Sequence, residues 1–486
     1  MPSKFHYPEG MGAIDLDFQL LFSAIGANNT FQRTWPMEHI DYTTTLAGAA
    51  KWGMVVDAVQ SHRFFDEIFG GLHNRSNMRS VVWDSLWVDF VHVASHLTVA
   101  GRQQLWMSGF ADIAEKYLLP IRLDQAYASD FVAAAAFPAL VTARVGGDGD
   151  GKGAAGGSWT NMGAAGPLLA SLRVRPMMDV LITTDRANGL HQLVVAVLTT
   201  GPVGIGDEAG HTNVDMLAPA LRNDSTILKP AHPAMRLDSW YSDRSKKKGE
   251  LWEAVCAPAV AANPRQLPPW SAGEDERANS MLSGLDGVIS GSILWRVILA
   301  TGVSADQSVR APELFPVPTP TDSFIVTEWG FPCTNSSVEK DNCSTMVSGD
   351  SRLDVTTQDP RAHGSGDRRF RLFNWAPVLP GGFALIGEQA KFVHVSPQRY
   401  TSGRPGLSRF GSIISPRELI YDNNSSMVFG VIGSRGELVM TTVLLPMPQG
   451  SAIVVLPVTI GAGGITHVVC TSNRGCEWGS QLHTLI

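Results

Sequence analysis

The chain has 486 residues, more than one hydrophobic core usually fills, which predicts two domains. Its 44% hydrophobic and 17% charged residues, with a net charge of −7, describe a soluble globular protein without a basic stripe and speak against a nucleic-acid partner. The longest apolar run, FVAAAAFPALV, is too short to span a bilayer and carries Pro138, so no membrane span is expected.

In chain order, residues 1 to about 80 mix a strand-like stretch (AIDLDFQLLFSAI) with Trp-bearing ones (FQRTWPMEH, KWGMVVDAV). The segment SHRFFDEIFGGL follows, where Phe64, Phe65, Ile68 and Phe69 share one face of a helix. SVVWD is a continuous apolar strand that stops on Asp84, and HLTVAGRQQLWMSGFADIAEKYLLP reads as an amphipathic helix closed by Pro120. IRLDQA is a short strand, SDFVAAAAF a helix capped by Ser129, and ALVTARVGGD a strand that runs into GGDGDGKGAAGG. A helix (MGAAGPLLASL), a strand (MDVLITT), a helix (LHQLVVAVLTT) and the strand PVGIGD complete this half. Short apolar strands alternating with helices predict a parallel α/β architecture. Tyr241 to about Pro320 is irregular and Pro-rich apart from SGSILWRVILA. From Asp322 the runs SFIVTEW, FALIGE, KFVHVS, SMVFGVIG, ELVMTTVLLP, AIVVLPVTI and THVVC, separated by turn residues, predict an antiparallel β-sandwich.

Cysteines form two close pairs, Cys333 with Cys343 and Cys470 with Cys476, leaving Cys256 alone; such pairs in loop-rich settings suit disulfides. The N-x-S/T pattern occurs at Asn28, Asn74, Asn223, Asn335, Asn342, Asn423 and Asn424, against roughly two expected by chance. Both observations predict a secreted or lumenal protein, with five thiols in a cytoplasmic protein as the alternative. The opening MPSKFHYPEG has no apolar run after its Lys, so a secretory leader would lie upstream of residue 1.

The stretch Ala196–Trp240 organises the chemistry: a buried strand ends on Asp207, and a Pro-punctuated loop carries Lys229 and Asp238. Carboxylates also end the strands SVVWD (Asp84) and VTARVGGD (Asp148). A carboxylate at the C-terminal end of a buried strand is where a β/α barrel places its chemistry, although an Asp there is also a common helix cap. The runs GPVGIGD and RNDSTILKP, VTARVGGDGD with its Arg144 and Asp148, and VVWDSLW with its Asp84 together resemble the α-galactosidase and raffinose synthase group of retaining glycosidases. The likeness covers about residues 80 to 240.

That resemblance implies a (β/α)8-type barrel followed by a β-sandwich, a carbohydrate substrate of the α-galactosyl type, and no cofactor or metal. It implies Asp84 as nucleophile and Asp148 as acid/base, with Arg144, Trp159, Asp207, Lys229 and Asp238 holding the sugar. Five strands can be counted from Asp84 onward, so either the barrel is incomplete at the N-terminus or its opening strands lie unrecognised in the first 80 residues. The corresponding division is a barrel domain over 1–245, a linker and irregular region over 246–320, and a sandwich over 321–486. The family's acid/base loop is replaced here by GGDGDGKGAAGG, which motivates the alternative of a catalytically inactive relative that binds glycans or has a structural role. Calcium at D-x-D-G lacks the further acids of an EF-hand, no His or Cys spacing suggests zinc, and GPVGIGDEAG lacks the setting of a dinucleotide fingerprint.

Overall fold

The computed structural model describes residues 18–22, 33–41, 52–76, 78–84, 102–124, 136–145, 160–172, 174–178, 180–185, 188–237, 249–256, 259–260, 294–303, 307–314, 323–333, 336–337, 343–348, 351–364, 369–379, 381–402, 421–422, 426–447 and 450–478. Two compact units divide the chain: Met1–Gly149 with Gly153–Asp179, and Val180–Ile486 with Asp150–Lys152.

The first unit holds a five-stranded sheet whose neighbours follow chain order: Phe18–Phe22, Met78–Asp84, Ile121–Asp124, Leu140–Arg144 and Arg175–Met177. Every adjacent pair is parallel. A separate hairpin joins Met37–Asp41 to Trp52–Val56.

The helix Ser61–Ser76 forms where the sequence pattern places it. Phe64, Phe65 and Phe69 are fully buried, and Ile68 packs at the edge of the same core. Phe65 meets Trp106 and Phe110 of the helix Arg102–Lys116 edge-on, with ring centroids 5.3 and 5.0 Å apart. Burying each such ring contributes about 2 kcal/mol. The helices approach so closely at Gly109 that a Cβ there would lie 2.1 Å from Ser61 Oγ and 2.8 Å from the His62 backbone nitrogen. The second helix ends at Lys116, four residues before Pro120, because Leu118 turns to φ 53° and Leu119 N–H donates back to Ala114 O at 2.8 Å.

In the second unit the helix Gly189–Leu198 is buried along nearly its whole length. MDVLITT and PVGIGD, expected as strands, make a single parallel bridge between Leu181 and Ile205. A six-stranded antiparallel sheet follows, in the order Ser344–Ser348, Ser323–Glu328, Phe370–Pro377, Trp295–Thr301, Glu250–Cys256 and Met235–Arg236. Two of these strands come from the stretch 246–320, and every residue of both is buried. One face carries a core that includes Ile298, Val326, Phe373 and Trp375. Two further sheets are built around Ser426–Ile432 paired with Ile465–Thr471, and around Leu438–Met447 paired with Gly450–Thr459. KFVHVS is not a strand: Lys391–Ser396 runs in bends, and His394 N–H donates to Asn374 Oδ1 at 3.1 Å.

Among the described residues, the buried Arg and Glu side chains of this unit are paired. Arg236 meets Glu250 through two bonds of 2.6 and 2.7 Å, Arg296 meets Glu253, and Arg371 grips Glu328 at 2.6 and 2.8 Å. Arg399, 1% exposed, bridges Glu388 at 3.0 Å and Glu437 at 2.7 Å. Bidentate guanidinium–carboxylate geometry is what allows such groups to leave water.

Candidate functional site

The parallel sheet of the first unit fixes the register of the residues that end its strands. Trp83 pairs with Leu123, and Leu123 with Ala143, so the next residues along, Asp84, Asp124 and Arg144, share one row at the C-terminal ends of three neighbouring strands. Adjacent strands lie about 4.8 Å apart, which fixes the backbone spacing of Asp84 and Asp124. Arg144 is 2% exposed, at the end of the strand Leu140–Arg144. Asp124 has no role in the sequence reading, although it ends IRLD just as Asp84 ends SVVWD. Asp148, Trp159 and Asp238 lie outside the described residues.

Asp207 belongs to the second unit and follows the Leu181–Ile205 bridge. Its Oδ2 accepts a 2.5 Å hydrogen bond from Thr183 Oγ1, and its Oδ1 accepts from Thr184 N–H at 3.2 Å and Thr184 Oγ1 at 3.3 Å. Thr183 Oγ1 in turn accepts the Asn213 N–H at 2.7 Å, and Asn213 caps the short helix Val214–Leu217 by accepting from Met216 N–H. Partial burial pushes the Asp207 carboxyl up, and the bonds from Thr183 and Thr184 outweigh it, so the group titrates below its ordinary value. Asp207 is therefore an oriented anion at neutral pH. The two threonines that hold it carried no signal in the sequence beyond their place after an apolar run.

Lys229 has a defined local task. Its Nζ donates to Gly201 O at 2.9 Å and Thr200 O at 3.2 Å, closing the C-terminal end of the helix Gly189–Leu198 just past the left-handed Thr200. A cation placed there meets the carbonyl end of the helix dipole. The Lys229 backbone is fixed as well: its N–H donates to Gln398 Oε1 at 3.1 Å, and its carbonyl accepts from Ser396 Oγ at 2.9 Å.

Both expected disulfides are present. Cys333–Cys343 has a Cα separation of 5.2 Å, and Cys470–Cys476 one of 4.0 Å across directly opposed positions of two antiparallel strands. Cys256 is a buried free thiol, which burial pushes well above its ordinary titration range. Among the described residues no His, Cys, Asp and Glu side chains gather as a metal site, and no helix is long and apolar enough to cross a membrane.

No protein-family model and no curated protein matches the chain. Among solved structures it is similar to a glycoside hydrolase family 97 enzyme in complex with acarbose from Pseudoalteromonas sp. strain K8, with a TM-score of 0.34 and 8% sequence identity. The similarity covers 66% of this chain and 46% of that one, so the chain spans less than half the length of the enzyme it matches.

Proposed function

We propose that this chain is a glycoside hydrolase that acts on α-galactosyl-type sugars with retention of configuration, built as a β/α barrel followed by a β-sandwich. The observation that carries the reading is the row at the C-terminal end of the parallel sheet, where Asp84 and Arg144 end strands that stand on either side of Ile121–Asp124. The resemblance of VVWDSLW and VTARVGGDGD to the α-galactosidase and raffinose synthase group supplies the roles. The Asp84 carboxylate attacks the anomeric carbon while the Asp148 carboxylic acid protonates the departing oxygen. The Asp148 carboxylate then takes a proton from the water that releases the sugar. Retention asks for the two carboxyl groups to be roughly 5 Å apart. Two disulfides support a lumenal or extracellular setting for the protein.

The test is hydrolysis of aryl α-galactosides, with an aryl α-glucoside as control, by the wild-type chain, Asp84→Ala and Asp148→Ala. Loss of activity in both variants, with their fold retained by circular dichroism, supports the pair. A folded wild-type chain no faster than its variants on either sugar overturns catalysis and leaves the glycan-binding reading, for which the glycine-rich GGDGDGKGAAGG around Asp148 is the motive.

A further inference from the structure

We propose that Asn223 is a site of N-glycosylation, the class of ligand being an oligosaccharide delivered from a lipid-pyrophosphate donor. The inference rests on the lumenal or extracellular reading above and is independent of catalysis. Asn223-Asp224-Ser225 is a complete sequon, and the fold presents it at the tip of a small hairpin. Leu221 and Ile227 form an antiparallel bridge, Arg222 N–H donates to Thr226 O at 2.9 Å, and Ser225 N–H donates to Arg222 O at 3.0 Å. Ser225 closes the turn in the left-handed region at φ 66°, and Asn223, Asp224 and Ser225 are all exposed.

The hairpin is held from below without using the acceptor's side chain. Arg222 Nη1 donates to Gln398 O at 2.6 Å, and the Asn223 backbone N–H helps to hold the Glu437 carboxylate ionised. The charge at the middle of the sequon is matched, because Asp224 takes the Arg222 guanidinium in a forked contact that holds its carboxyl far below the usual range. By contrast, the sequon at Asn74 lies within the helix Ser61–Ser76, where positions two apart fall on different faces. The two disulfides that carry the lumenal or extracellular reading form in the oxidising compartments where such donors are used. In the transfer the Asn223 amide nitrogen bonds to the anomeric carbon, the bond from that carbon to the pyrophosphate oxygen breaks, and the lipid pyrophosphate leaves as the amide gives up one proton. The bulky product fits a protruding, solvated tip.

The experiment expresses the full chain through the secretory route of a eukaryotic cell and maps its peptides after enzymatic glycan release in heavy-oxygen water. The expected result is a labelled aspartate at position 223, with one glycan step lost on gels for Asn223→Gln and for Ser225→Ala, and kept for Ser225→Thr. An unmodified Asn223 peptide beside occupied sequons elsewhere and intact disulfides overturns the site while leaving the compartment standing. Protein from its natural source with reduced cysteines and no occupied sequon overturns the compartment and the site together.

Discussion

Asp84 and Asp124 are register partners on neighbouring parallel strands, each the last residue of its strand. Their backbones lie on strands about 4.8 Å apart, and like charges brought close raise one another's pKa as a rule. Replacing Asp124 with Asn removes an acid from the strand beside the proposed nucleophile and is expected to move the acidic limb of the kcat/KM profile to lower pH. A pH profile on the best aryl glycoside checks this, and an unmoved acidic limb separates the two residues functionally.

Thr183→Val is expected to bring the Asp207 carboxyl back up towards its ordinary range, because the shortest of its bonds is lost. A carboxyl whose folded pKa is depressed contributes stability that is present above the unfolded value and lost as pH falls through the folded one. In the variant that contribution is smaller and disappears at a higher pH. Carbon-detected NMR titration of Asp207, alongside denaturant melts at neutral and acidic pH, reads both effects.

Lys229→Met tests the helix-closing role. Loss of the two Nζ bonds to Thr200 and Gly201 is expected to cost about 1 kcal/mol of stability, with KM unchanged. A raised KM at unchanged stability assigns the lysine to the sugar instead.

Arg399→Met leaves Glu388 and Glu437 without the guanidinium they share and is expected to destabilise the second unit by about 3–5 kcal/mol in urea. Adding Glu388→Gln and Glu437→Gln to that variant is expected to recover part of the loss. No recovery points to the volume of the side chain rather than its charge.

His394 is fully buried, and burial pushes its imidazole down to about 3. The unfolded chain therefore binds a proton below the ordinary histidine value that the folded chain refuses, so stability falls as pH drops from about 6.5. His394→Gln is expected to flatten the dependence of Tm on pH between about 6.5 and about 4.

Periodic segments could be read from the sequence alone. Phe64, Phe65 and Phe69 repeat at helical spacing and form a buried helix face, and the close cysteine pairs are bonded. KFVHVS misled because alternation over six residues is shared by strands and by bends whose backbone is satisfied by side chains, as the His394 N–H is by Asn374 Oδ1. ELWEAVC was hidden for the opposite reason: Glu250 and Glu253 break an apolar run, and their partners, Arg236 and Arg296, lie 14 and 43 residues away. The row of Asp84, Asp124 and Arg144 depends on register, which no local pattern encodes. Asp207 was expected at the end of a strand, where the fold has a single bridge at Ile205, and the threonines that orient it were not legible.

The strand Phe370–Pro377 sits between Ser323–Glu328 and Trp295–Thr301, both of which precede it in the chain. A ribosome therefore delivers two apolar strands with open edges, and the piece that closes them arrives some 40 residues after the later of the two. Until Pro377 has left the exit tunnel, each edge is free to pair with another nascent chain. Translation speed across that interval, and the chaperones that attend it, would govern the yield of folded protein more than the stability of the finished sheet. Fragments that stop short of Pro377 should collect in inclusion bodies even where their own strands are complete.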